Sequence, residues 1–226
     1  MNAGESGERR RFRARTCSAA DCGLRFPVDC DADGTSTLGR TCPLCGAPTL
    51  PCDPPYSTDE APRPEHGARP RCELAALLDN IRSLRNVGSI VRAADGVGLG
   101  RIVFAGITPT PDHPGLAKTA LGAERCVPWS RGADAVRAAA ELVAEGWALW
   151  ALEGGARATS IFDPQIASAS AGARVCLVVG HEVSGIDPRV LALCERVLFI
   201  PMLGHKGSLN VAVAFGIAAY VLRFGG

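Results

Sequence analysis

The stretch Ile200–Tyr220, IPMLGHKGSLNVAVAFGIAAY, decides how the rest of the chain is read. An apolar run stops at Pro201–Met202, passes through Gly204, His205, Lys206 and Gly207, and resumes at Ser208–Asn210 as an apolar helix. Two glycines and a proline so close together interrupt regular structure. The chain therefore bends sharply here, or something lies close against its backbone.

Upstream, from Cys72 on, strand-like and helix-like segments alternate. ELAALLDNI reads as a first strand and VGSIVRAADGVG as a helix stopping on glycine. RIVFAG, WALWALEGG and ARVCLVVG read as strands; the last is an uninterrupted apolar run, as in parallel strands covered on both faces. GADAVRAAAELVAEG carries Asp134 near its start and apolar residues at helical spacing. DPRVLALCERVLFIPM gives a helix after Asp-Pro and then a buried strand, and NVAVAFGIAAYVLRF closes the chain as a helix. This alternation predicts an α/β domain over 73–226, a mostly parallel sheet with helices on both sides.

The first 72 residues have another texture. ERRRFRAR, Glu8–Arg15, holds five arginines against one glutamate, so 1–15 reads as a basic arm, either meeting nucleic acid or merely solvated. Residues 16–50 contain five of the ten cysteines. Cys17 and Cys22, then Cys42 and Cys45, form two close pairs, each followed by a glycine. Such pairs on tight turns are how a zinc ribbon builds a tetrahedral thiolate site, with zinc supplying folding energy that so short a segment lacks. Cys30 lies between the pairs and stays an alternative ligand. Residues 51–72 are proline-rich and read as an extended linker. The net charge of +1 neither implies nor excludes a polyanionic partner. No run is long and apolar enough to span a membrane, and the first residues lack a signal-peptide core, so a cytoplasmic protein is expected.

Three segments carry a resemblance. They are RSLRNVGSIVRAADG, with Asn86, Gly88 and Arg92 as N-x-G-x-x-x-R; VVGHEVSGI, with Gly180, Glu182 and Gly185; and the opening stretch. In this order they resemble the three motifs of the SpoU/TrmH family of RNA ribose 2′-O-methyltransferases, in the SPOUT superfamily. The match runs from about Leu74 to Phe224, and KTALGAE, Lys118–Glu124, fits it too.

That resemblance implies a C-terminal trefoil knot, one of the rare true knots in proteins, whose loops wrap S-adenosylmethionine. Matching cofactor positions are Gly180, Ile200, Met202 and Leu209, with Leu152 and Gly154 on an adjacent loop. No G-x-G-x-x-G follows the first strand, which argues against a Rossmann-type methyltransferase. Methylating a ribose hydroxyl requires aligned reactants and loss of a proton. The family resemblance gives this work to Arg92 with a substrate phosphate. An always-charged arginine is no base itself, so Arg92 is expected to clamp the phosphate that takes the proton. Asn86 is expected to orient ribose or phosphate, Ser208 and Asn210 to bond near the ribose and cofactor, and Glu182 to brace the knot. Each also has a plainer reading: Arg92 as a surface arginine, Ser208 and Asn210 as helix caps. The resemblance further implies tRNA or rRNA as substrate and a homodimer, with the apolar last helix in its interface. Two other readings compete: a non-catalytic RNA-binding or assembly factor that keeps the knot, and a resistance-type rRNA 2′-O-methyltransferase. The joint presence of Asn86, Arg92, Glu182, Ser208 and Asn210 argues against the first, and the cysteine segment counts against the second.

Overall fold

The structure, a computed structural model, describes residues 10–57 and 70–225. Glu8 and Arg9 of the expected arm, and most of the expected linker, lie outside the described residues. The chain divides into two units, Met1–Gly67 and Ala68–Gly226.

The first unit is a three-stranded antiparallel sheet of β1 (Arg11–Cys17), β2 (Arg25–Cys30) and β3 (Thr49–Ser57), in the order β2-β1-β3. Arg11–Arg15, expected in a basic arm, are therefore strand. In RFRARTC the arginines alternate with smaller or apolar residues, the period of a strand with two unlike faces. Residues 51–57, expected in the linker, belong to β3, although Pro51, Pro54 and Pro55 lack an N–H. Among the described residues β3 is an edge strand with one side unpaired, where proline is tolerated. Its register with β1 also shifts between Phe12 and Ala14.

The second unit is built on a seven-stranded sheet in the order β6-β5-β4-β9-β7-β10-β8, with every pairing parallel. The strands are β4 (Glu73–Asp79), β5 (Arg101–Ala105), β6 (Trp129–Gly132), β7 (Ala148–Leu152), β8 (Thr159–Ser160), β9 (Arg174–Val179) and β10 (Arg196–Phe199). The helices are α1 (Leu84–Gly96), α2 (Ala117–Ala120), α3 (Ala135–Ala144), α4 (Pro164–Ser170), α5 (Pro188–Leu191) and α6 (Val211–Phe224). Alternate residues of β4 point to opposite faces. Leu74, Ala76 and Leu78 pack with α1 and α6 residues such as Ile90 and Phe215. Ala75 and Leu77 pack with α3 and α5 residues such as Leu142 and Val190. Two apolar layers thus sandwich the sheet, which is why its central strands are apolar throughout. Side chains start the longer helices: Ser83 accepts from Asn86 N–H, Asp134 from Val136 and Arg137 N–H, and Asn210 from Ala212 and Val213 N–H. Strand β9 lies between β4 and β7, and β10 between β7 and β8. The last two strands thus slot between strands laid down earlier in the chain.

Candidate functional site

At the carboxyl ends of β7, β9 and β10 the chain leaves the sheet in three loops. Between them is a cleft of about 520 Å³, in the position where open α/β sheets bind ligands. Its wall includes Leu152, Gly154, Gly180, Ile200, Met202 and Leu209, all six expected cofactor positions, together with Glu182 and Ser208. A side-chain carbon at Gly180 would overlap Ile186 N and the Gly185 carbonyl carbon, so the turn closes only over glycine. His181 tightens it: its Nδ1 accepts from Val183 N–H (3.1 Å) and Ser184 N–H (3.2 Å).

The cleft wall is mostly apolar on the β10 side, at Leu198, Ile200 and Met202, and polar at its lip. Glu153 also lines it and accepts the Ile186 N–H at 3.1 Å. Sequence reading missed Glu153; the available signal was a carboxylate directly after the apolar strand WALWAL.

A hydrogen-bond chain joins the three sequence motifs. Glu182 accepts from Arg82 N–H (3.1 Å), Ser83 N–H (2.9 Å) and Asn86 Nδ2 (2.9 Å). Asn86 Oδ1 accepts from Asn210 Nδ2 (2.9 Å), and Asn210 Oδ1 caps α6. Burial opposes charge on Glu182, but N–H groups of Arg82, Ser83 and Glu182 itself, with the Asn86 amide, hold its carboxyl down at about 2. Both polar ends of Asn86 are therefore used inside the protein. Ser208 is exposed at the cleft. Arg92 is exposed on α1, away from the cleft wall, and its guanidinium bonds to no carboxylate among the described residues.

In the first unit, the sulfurs of Cys17, Cys22, Cys42 and Cys45 lie within 4.8 Å of one another, and Cys30 is not among them. Cys17 Sγ and Cys45 Sγ are 3.4 Å apart, Cys22 Sγ and Cys42 Sγ 3.7 Å. Four thiolates about 2.3 Å from one zinc would stand about 3.8 Å apart, so the donor set fits such an ion. Burial works to raise the Cys42 thiol, but the N–H groups of Cys45 and Leu44 aimed at its sulfur bring it down to about 7. Gly23 and Gly46 adopt positive φ, 56° and 77°, where the two cysteine turns reverse.

The profile of the SpoU rRNA Methylase family matches residues 73–220. A 23S rRNA (guanosine-2′-O-)-methyltransferase, RlmB, of Burkholderia sp is 35% identical over 151 residues, 65% of this chain and 57% of that protein. A 23S rRNA (guanosine(2553)-2′-O)-methyltransferase, RlmP, of Bacillus subtilis is 33% identical over 149 residues, 65% of this chain and 56% of that protein. The chain thus spans little more than half the length of these relatives. An AdoMet-bound rRNA methyltransferase from Sinorhizobium meliloti superposes with a TM-score of 0.59 at 25% identity, over 66% of this chain and 55% of that one.

Proposed function

Since this chain belongs to the SpoU rRNA methylase family, we propose that it transfers a methyl group from S-adenosylmethionine to a ribose 2′-hydroxyl of rRNA or tRNA. The curated relatives are named for 23S rRNA, which favours rRNA. One observation carries the reading: the second and third motifs, far apart in sequence, line one cleft, and the first motif is tied to both by hydrogen bonds of Asn86 with Glu182 and Asn210.

The cleft fits the cofactor. Leu152, Ile200, Met202 and Leu209 offer an apolar wall for a purine, and Gly154 and Gly180 leave backbone groups open to it. When bound there, S-adenosylmethionine supplies the methyl group carried on its sulfonium. The insertion of β9 and β10 between earlier strands supports a trefoil knot around this site. Arg92, exposed and without a carboxylate partner among the described residues, is suited to clamp a substrate phosphate bidentately. That phosphate accepts the hydroxyl proton. Ser208, exposed at the cleft, is the side chain free to bond the ribose. Asn86, Glu182 and Asn210 act as positioning residues, since their polar groups are already committed to one another.

Arg92 stands off the cleft wall, which supports a homodimer in which it serves the partner's site. The exposed apolar stripe of α6, Val213, Tyr220 and Phe224, is the surface for such an interface. The four-cysteine cluster holds structural zinc; Cys42→Ser should abolish stoichiometric zinc by elemental analysis while leaving affinity for S-adenosylmethionine unchanged. None of the described helices is long and apolar enough to cross a membrane. An RNA substrate makes the cytoplasm the place of work.

Radiolabelled methyl transfer tests the activity. Total RNA should accept label, its 2′-deoxy counterpart should not, and Arg92→Ala should lower transfer about 100-fold or more. Equal labelling of both nucleic acids, or undiminished transfer by Arg92→Ala, would refute it.

A further inference from the structure

The sheet of the first unit has two unlike faces. Partners in antiparallel strands share a face. The register therefore puts Arg11, Arg13 and Arg15 with Val28 and Phe26 on one side. It puts Phe12, Thr16, Arg25 and Tyr56 on the other. The segment between β2 and β3 covers the first side. Arg11 donates to Ala32 O (2.5 Å) and Arg13 to Gly34 O (3.1 Å), Arg15 bonds Thr49 Oγ1 and O at 2.8 Å each, and Gly39 lies against Val28 and Phe26. Two arginines of the basic run thus tie down the loop, and a third holds the start of β3.

Among the described residues the second side has no such cover. Tyr56 is 45% exposed, and the side chains of Arg10 and Arg25 are 73% and 55% exposed. The Phe12 and Tyr56 rings lie 5.9 Å apart at 31°. The Arg10 guanidinium sits 5.7 Å from the Phe12 ring centre. Ala14 lies between Pro27 and Cys52, so the middle row of the face is low. Arg10 pairs with Asp29 and Arg25 with Asp53; exposed pairs of this kind bind weakly and yield to a competing anion.

We propose that this open face binds a single-stranded stretch of the RNA substrate, with a base stacked on the Phe12–Tyr56 pair and Arg10 and Arg25 holding flanking phosphates. Every base has a π face, so an aromatic platform reads unpaired nucleotides without demanding a sequence, and guanidiniums beside it add phosphate contacts. A duplex keeps its bases stacked internally and gains nothing from the rings. The assignment rests on the reading of RNA as the substrate class.

The test uses the full chain with its metal bound and an oligoribonucleotide carrying one 2-aminopurine, alone and annealed to its complement. Wild-type protein should quench the single strand. Tyr56→Ala should lose that quenching and weaken single-strand binding roughly 5- to 50-fold, with zinc content and duplex affinity unchanged. Tyr56→Phe should retain both properties. Arg25→Ala should lower the slope of log affinity against log salt by about 0.7, one phosphate contact. The proposal is overturned if Tyr56→Ala binds the single strand as wild type does, or loses single strand and duplex alike. It is equally overturned if Tyr56→Ala changes only the unfolding midpoint, which would mark the face as covered by protein. Methyl transfer is scored separately. Transfer without quenching defeats the platform alone, and quenching without transfer defeats the methylation reading alone.

Discussion

Glu182 is exposed, yet it accepts three hydrogen bonds from the segment that begins α1. Its carboxyl, held at about 2 against an ordinary 4.5, makes a contribution to stability with a definite sign. The folded value is the lower one, so the contribution is complete above about pH 4.5 and is lost as pH falls toward 2. Glu182→Gln should therefore be less stable than wild type at pH 6, and the difference should narrow below pH 4.5. Chemical denaturation at several pH values reads this; a gap independent of pH would contradict it. Asn86 takes a different place from the one its sequence suggested. Its amide bridges Glu182 and Asn210 and so joins the start of α1 to the start of α6.

Among the elements, α1 and α2 meet over Gly88. A side-chain carbon there would overlap Thr119 Oγ1 and crowd the Thr119 backbone. Gly88→Ala should destabilise the second unit by about 1–3 kcal/mol through overpacking, and adding Thr119→Ala should recover part of the loss. Urea unfolding of both variants measures it; a fully stable Gly88→Ala would show that the helices do not pack as described. The glycine of N-x-G-x-x-x-R is thus a packing device for the helix that carries Arg92. Strands β4, β5 and β9 were legible in the sequence because both their faces are buried and their residues are apolar without a break. Strand β1 was not, because its arginines hid a two-residue period behind the appearance of a charged tail. Strand β3 was obscured by proline, and β6 and β8 are short edges with little to bury. Helix α4 went unread although Asp163 and Pro164 mark its start. The ring of cleft residues came from a resemblance of motifs, whereas the chain joining them did not. Asn86 lies 96 residues from Glu182 and 124 from Asn210, and no local pattern encodes such pairings.

Across the molecule as a whole, α6 is buried on one side against α1 and the sheet and exposes Val213, Tyr220 and Phe224 on the other. The proposed homodimer would cover this exposed apolar stripe. Tyr220→Glu should convert a dimer to a monomer in sedimentation velocity and lower methyl transfer while leaving the monomer folded; an unchanged sedimentation coefficient would put the interface elsewhere. The proposed function stands or falls with the loops after β7, β9 and β10 enclosing the methyl donor. Titration calorimetry with S-adenosylhomocysteine probes that enclosure. Wild-type protein should bind one molecule per chain, and Gly180→Ala, which cannot close its turn without displacing Ile186, should bind at least about tenfold more weakly. No heat from the wild type, or equal affinity in the variant, would show that the cleft does not hold the donor.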